Sequence, residues 1–248
     1  EYGDGKNITP DQIYTWSDAN KTTPKTSAPA LADAMELFRP YAEAGREIVC
    51  FSISAGMSTS GNVMRLAAEE LGASDRIKVI DSANLSTGIG LLVIEAAIMA
   101  KNNRTASQIV SEIERLKPNV RASFVVDTLT YLYRGGRCNA VAAMAGGVLK
   151  LHPRIVVEDG AMNASKKYRG KIASVVMNYV KDMEKDLKKA RPERVFITHS
   201  GCEQETVEKV RAYLKELDIF DEILETRAGG VVSSHCGPGT LSVLYIAK

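Results

Sequence analysis

Apolar positions along the chain alternate between helical and strand-like spacing, and each change of spacing marks an element. Thr9-Pro10-Asp11 supplies an N-cap, a first-turn proline and a first-turn acid, which predicts a short helix through Trp16. A polar loop from Lys21 to Pro29 follows, and then a helix from about Ala30 to Ala44. That helix leads into a strand from Glu47 to Ile53, whose IVCFSI run reads as buried. Next come a Ser/Gly loop, a helix to Leu71, a strand from Arg76 to Asp81 and a small-residue helix from Ser86 to Lys101. A helix from Ser107 to Leu116 has its own cap in Thr105, and a strand from Val120 to Asp127 closes this half.

From Leu129 to Leu149 the pattern predicts a helix, a Gly135-Gly136-Arg137 break and an Ala- and Gly-rich helix. Two extended segments, Arg154 to Glu158 and Met162 to Lys167, are joined by Asp159-Gly160, a dipeptide that favours a tight hairpin turn. Between Lys171 and Lys188, seven apolar residues from Ile172 to Leu187 form one helical stripe. A strand from Val195 to Thr198, an amphipathic helix from Glu203 to Leu217, and strands from Ile219 to Thr226 and Thr240 to Ala247 complete the pattern. This alternation predicts an α/β chain in two domains, 1–149 and 150–248.

Composition narrows the function. Of 248 residues, 45% are hydrophobic and 25% charged, an ordinary globular balance that argues against disorder. Thirty-two Lys and Arg face thirty Asp and Glu, so neither nucleic acid nor a membrane surface is the default partner. The most apolar stretch, Gly88 to Ala100, contains Glu95 and is too short to span a bilayer. Four cysteines without a CxxC pair suggest a reduced, cytoplasmic protein with no structural metal.

The candidate chemistry lies in loops. Ser52-Ile53-Ser54-Ala55-Gly56-Met57-Ser58-Thr59-Ser60-Gly61 stands between a strand and a helix, where unpaired N–H groups and clustered hydroxyls suit an anion. It is not a Walker A loop, because no Gly-Lys-Ser/Thr follows. A helix cap by Ser58 or Ser60 is the competing reading, but four hydroxyls in seven positions favour capture of a carboxylate or phosphate. Lys25-Thr26-Ser27 before Pro29 is ordinary turn chemistry when taken alone. His235, before Gly237-Pro238-Gly239, reads as a loop histidine, and His199 ends a strand. A zinc site from His199, Cys202, His235 and Cys236 fits no closed spacing motif. Gly135-Gly136-Arg137 suggests close backbone approach with an arginine beside it. Asp81 and Asp127 stand at strand ends, where aspartates serve catalysis or cap loops.

Several segments, in order, resemble the DegV family of bacterial fatty-acid-binding proteins. They are Tyr2-Gly3-Asp4-Gly5 with Ile8-Thr9-Pro10, Lys25 to Pro29, Ile53 to Ser58, and Val79 to Ser82 with Ser86-x-Gly88-x-Gly90. Leu132 to Arg137 and His235 to Gly239 complete the set. The resemblance implies a Rossmann-like N-terminal domain and a larger α/β C-terminal domain enclosing one long-chain fatty acid between them. It assigns Thr26, Ser58 and Ser60 to the carboxylate and His235 to the loop closing that site. It implies no cofactor, metal or catalytic residue, and a role in bacterial phospholipid metabolism that allows transient membrane contact; a monomer is the default expectation for the assembly. The bound acid would be presented to a separate fatty-acid kinase that makes the acyl phosphate, with Arg137 near the partner-facing surface.

Two departures stand out. The family opens with a strand and a Thr-Asp-Ser turn that nothing here matches, so the expected Rossmann-like sheet lacks its first strand and exposes an edge. The family's Ser-Gly-Thr is also replaced by Ser58-Thr59-Ser60-Gly61, with the glycine displaced. The competing enzyme reading is a serine hydrolase using Ser58, Asp81 or Asp127, and His235, whose chain order fits. The displaced glycine and the lack of an oxyanion loop count against it.

Overall fold

The computed structural model describes residues 2–136 and 151–248. Among these, the elements run α1 (Pro10–Asn20), α2 (Leu31–Glu43), β1 (Ile48–Ser52), α3 (Ser60–Glu70), β2 (Ile77–Asp81) and α4 (Ser86–Lys101). Then come α5 (Ala106–Leu116), β3 (Val120–Val125), α6 (Thr130–Gly135), β4 (Leu151–Glu158) and β5 (Ala161–Arg169). The remaining elements are α7 (Ile172–Asp182), α8 (Glu184–Leu187), β6 (Ala190–Ser200), α9 (Gln204–Glu216), β7 (Glu222–Arg227), α10 (Gly230–Cys236) and β8 (Thr240–Ala247).

The chain forms two compact units that divide it differently from the boundary expected at 149/150. The larger comprises Glu1–Thr26, Arg121–Glu158 and Met162–Lys248; the smaller comprises Ser27–Val120 and Asp159–Ala161. The difference has a simple cause. Strand β3 pairs antiparallel with β4, Ala122 opposite Val157 and Val125 opposite Arg154, so it belongs to the large sheet rather than to the preceding helices.

In the smaller unit, β1 and β2 pair in parallel, with Ile48 opposite Ile77 and Ser52 opposite Asp81. Ile48, Cys50, Ile77 and Val79 face an alanine-rich core with Phe38 of α2 and Ala67 and Ala68 of α3. Val49 and Phe51 face Val93, Ala96 and Ala100 of α4 instead. Alternate residues thus meet helices on opposite faces, as a parallel sheet requires. The IVCFSI run is less buried than its composition suggested: Ile48 to Phe51 are half-buried. Among the described residues β1 has β2 as its only sheet neighbour, which leaves one edge uncovered.

The larger unit holds a six-stranded sheet in the order β5-β4-β3-β8-β6-β7. The β6–β7 pair is parallel, as its α9 crossover requires, and β6–β8 is antiparallel. Its main core joins Val195 and Ile197 of β6 and Leu241, Val243 and Tyr245 of β8 to Val175, Tyr179, Val207 and Val210 from helices. The stripe expected from Lys171 to Lys188 is real, but the helix breaks at Met183 into α7 and α8. Asp159 (φ 49°) and Gly160 (φ 75°) form the expected turn between neighbouring strands β4 and β5. Thr9 caps α1 as expected, in a reciprocal capping box with Gln12, and the helix continues past Trp16 to Asn20.

Candidate functional site

Four of the residues singled out from the sequence form two hydrogen-bonded pairs. Thr26 Oγ1 lies 2.8 Å from His235 Nε2, within the larger unit. Ser58 Oγ lies 2.8 Å from Ser60 Oγ, within the smaller one. All four residues are half-buried. Arg137, Cys138 and the run from Ala140 to Val148 lie outside the described residues.

The Thr26–His235 pair depends on distant parts of the sequence. His235 is not on a loop, as the Gly237-Pro238-Gly239 context suggested, but in the last turn of α10. That helix begins at Gly229-Gly230, residues that obscure it in the sequence. Their purpose is close approach. Asp4 accepts hydrogen bonds from the N–H groups of Gly230 (2.6 Å) and Val231 (2.8 Å), so its carboxylate caps the helix. A Cβ on Gly230 would lie 2.8 Å from Asp4 Oδ1 and 2.9 Å from Ile13 Cδ1.

At the other end of α10, the imidazole of His235 lies against Gly135. A Cβ there would come within 2.2 Å of Nδ1, so the close backbone approach suggested by Gly135-Gly136 is to His235. Gly136 ends α6 in the left-handed region at φ 65°, and Gly237 ends α10 at φ 75° with the Tyr131 ring on its surface. Tyr131 meets Tyr14 edge-on at 6.2 Å between ring centres. The Tyr14 hydroxyl shares a hydrogen bond with Ser200, which donates to Ser233 of α10. Burial raises the Tyr14 pKa above its usual value, although the bonds from Ser200 and Ser233 oppose the shift. This network therefore stays neutral and serves as support. Asp4 and Tyr14 are not legible as site residues in the sequence, because their partners are far away along the chain.

The Ser58–Ser60 pair is built locally. Ser60 N donates to Ser58 Oγ at 3.2 Å, a local turn just ahead of α3, whose N-cap is Thr59 without a side-chain cap bond, so neither Ser58 nor Ser60 is the helix cap considered for it. The displaced glycine has a physical reason: a Cβ on Gly61 would lie 2.7 Å from Ser52 Oγ. Behind this loop, Asp81 accepts from the N–H groups of Ala83 (2.9 Å) and Ala55 (3.3 Å to both oxygens). Asp81 is thus a loop-capping carboxylate. Asn84 Oδ1 accepts from Leu85 N, and Gly88 leaves it room, since a Cβ there would lie 2.1 Å away.

The other strand-end residues are structural as well. His199 Nδ1 accepts from Cys202 N at 3.4 Å and Nε2 lies 3.6 Å from Glu225, with burial lowering the imidazole pKa. Asp127 lies 3.7 Å from the buried His152 and packs against Gly239. Burial pushes the Cys50 thiol up to about 11 and the Cys202 thiol up to about 12, so neither is a reactive thiolate. Among the described residues, no three His, Cys, Asp or Glu side chains gather as a metal site. No described helix is long and apolar enough to cross a membrane.

Comparison with known proteins assigns the family. The DegV family model, described as that of an uncharacterised protein, matches residues 1–248. A DegV domain-containing protein of Deinococcus radiodurans is 31% identical over 243 residues, 98% of this chain and 85% of the relative. The solved structure of a DegV family protein from Thermus thermophilus, reported for its fatty acid binding, superimposes with a TM-score of 0.90 at 27% identity. It covers 100% of this chain and 87% of that one. A stearic acid-binding protein from Eubacterium ventriosum superimposes at 0.83, also at 27% identity, over 98% of this chain and 85% of its own. The chain belongs to the DegV family.

Proposed function

We propose that this DegV-family chain is a carrier that binds one long-chain fatty acid, with Thr26, Ser58, Ser60 and His235 as the polar end of its site. The observation that carries the reading is the Thr26–His235 hydrogen bond, since it joins residues 209 positions apart and sets a hydroxyl against an imidazole where both remain half-buried. If His235 carries its proton on Nε2 and donates it to Thr26 Oγ1, the Thr26 proton is left for a carboxylate. Ser58 offers a second hydroxyl at the N-terminus of α3, where the helix dipole also favours an anion. Hydroxyls and helix N–H groups replace the water the carboxylate loses, and the acyl chain contributes about 0.8 kcal/mol per buried CH₂. Fatty-acid binding by the Thermus and Eubacterium relatives supports the same ligand class.

In this reading the chain is not an enzyme. Ser58 Oγ is bonded to another hydroxyl rather than to a base, which favours ligand binding over serine hydrolysis. Its acyl cargo is presented to a separate fatty-acid kinase, with Arg137 on the surface that meets it. The carrier is monomeric and works in the cytoplasm, where free thiols such as those of Cys50 and Cys202 persist.

Native mass spectrometry of the purified protein, followed by solvent extraction, tests the reading. One long-chain fatty acid per chain is the expected result. Thr26→Ala and Ser58→Ala should each weaken binding by about 1.5–3 kcal/mol, the usual cost of one bond to a charged group, with the fold intact. Unchanged affinity in both variants and in the double variant would refute the assignment. A protein that neither carries nor takes up fatty acid would end the carrier reading.

A further inference from the structure

Ser54 uses all of its hydrogen-bonding groups. Its N–H donates to Asn84 O at 2.9 Å, and its carbonyl accepts from Met57 N (2.9 Å) and Ser58 N (3.1 Å). Its hydroxyl accepts from Gly56 N at 3.1 Å and donates to Gly160 O at 2.6 Å. The residue is 1% exposed. One of these bonds therefore ends on the backbone of Ser58 itself, and two others hold the turn between Ser54 and Ser58. A buried hydroxyl is costly to leave unpaired, so the bond to Gly160 fixes the rotamer on which the turn depends.

The surrounding residues are matched to this contact. A Cβ on Gly160 would lie 2.7 Å from Ser54 Oγ, and one on Gly56 would lie 3.0 Å from Gly160 O. Gly160 stands at φ 75°, where a side chain is strained in any case, and its carbonyl accepts from the Ser54 hydroxyl. Ser82 Oγ donates to Asn84 O, the acceptor on the far side of Ser54. Ordinary loop packing requires a small residue at 54. It does not require a hydroxyl bonded at once to the turn bearing Ser58 and to the β4–β5 turn.

We propose that Ser54 is a positioning residue for the carboxylate, acting through Ser58, with Gly160 O as its anchor. The inference rests on the fatty-acid reading above and adds to it a residue that does not itself touch the ligand. The discriminating measurement is a double-mutant cycle on the full chain, with cis-9-octadecenoate as the probe. Ser54→Ala should weaken binding about tenfold when Ser58 is present and less than about twofold in a Ser58→Ala background, because a misplaced hydroxyl matters only if it exists. Equal losses in the two backgrounds, or no loss in either, would overturn the proposal. If Ser54→Ala does not fold, Gly160→Ala takes its place in the cycle, since its added carbon displaces the same hydroxyl. Failure of the unmodified chain to bind would strike the fatty-acid reading and the inference with it, and an unaltered affinity in Ser58→Ala would strike the inference and the assignment of Ser58. A folded Ser58→Ala that binds less tightly and still shows the full Ser54 effect would strike the inference alone.

Discussion

The two hydroxyl pairs, one in each unit, are alike in geometry and opposite in construction. Ser58 and Ser60 are two residues apart, and one turn brings them together. Thr26 and His235 are 209 residues apart and meet only after a capped helix, a glycine contact and a pair of tyrosines are assembled around them. The first pair is therefore a property of a loop, and the second a property of the whole larger unit. A change that loosens the loop can lower affinity while leaving stability almost untouched. A change near His235 affects both.

The largest contrast should come from alanine at the glycine beneath each pair. In Gly135→Ala, the new methyl falls 2.2 Å from His235 Nδ1, while Thr26 holds the other side of the ring. The imidazole cannot move without losing that bond, so the variant should lose about 2–3 kcal/mol of stability and most of its fatty-acid affinity. In Gly61→Ala, the methyl meets the tip of Ser52, whose hydrogen bond to Ile80 O is already long at 3.5 Å. That hydroxyl can rotate, and alanine favours the helix, so the net cost should stay under about 1 kcal/mol. Thermal unfolding of the two variants side by side is the check, and equal costs would erase the distinction between loop and unit.

A smaller effect should follow from the cap on α10. Asp4→Ala leaves the N–H groups of Gly230 and Val231 without their acceptor and should cost about 1 kcal/mol of stability, in the usual range for a lost cap. Because the helix carries His235 at its far end, fatty-acid affinity should fall with it by about threefold, roughly the binding equivalent of two-thirds of a kcal/mol. Asp4→Asn keeps only one of the two acceptor oxygens and should recover part of both, as titration calorimetry and unfolding can measure. Intact affinity in a destabilised Asp4→Ala would separate the cap from the site.

The same contrast explains what was legible in the sequence. Local signals transferred well: Thr9 with Gln12, Thr105 before α5, the bounds of α4 and the Asp159-Gly160 turn all depend on neighbours within a few residues. Ser58 and Ser60 were accessible for the same reason. Helix α10 was not, because Gly229-Gly230 reads as a break until Asp4 is seen to fill the space. Nor was the division of the chain, since β3 looks like the end of an alternating first half and only its place between β4 and β8 moves it into the large sheet. Thr26 drew attention as a site residue through resemblance to a family, while its partner's position depended on contacts that no spacing encodes.

Acidification offers the gentlest test of the contrast, because all three histidines of the chain, His152, His199 and His235, lie in the larger unit. His199 has the clearest sign. Burial lowers its pKa below 6.5 and Arg227 pushes the same way, while Glu225 opposes the shift. The unfolded chain therefore binds a proton at His199 more readily than the native chain does. The stability from keeping it neutral is fully present above about pH 6.5 and is lost as pH falls from there towards the lowered native value. Shifted carboxylates do not obscure this window. Asp182 is opposed by burial, but hydrogen bonds from Lys166 and Tyr168 lower its pKa, and the Arg191 bond lowers that of Glu193, so their contributions fade only in more acidic solution. Hydrogen exchange between pH 7.5 and about 5, compared after correction for the intrinsic rate, should show β6 and β7 losing protection while β1 and β2 keep theirs. His199→Gln, which has no proton to gain, should flatten the loss in the large sheet. Equal loss in both units, or an unaltered slope in the variant, would mean that the larger unit's dependence on long-range contacts does not extend to its buried histidine.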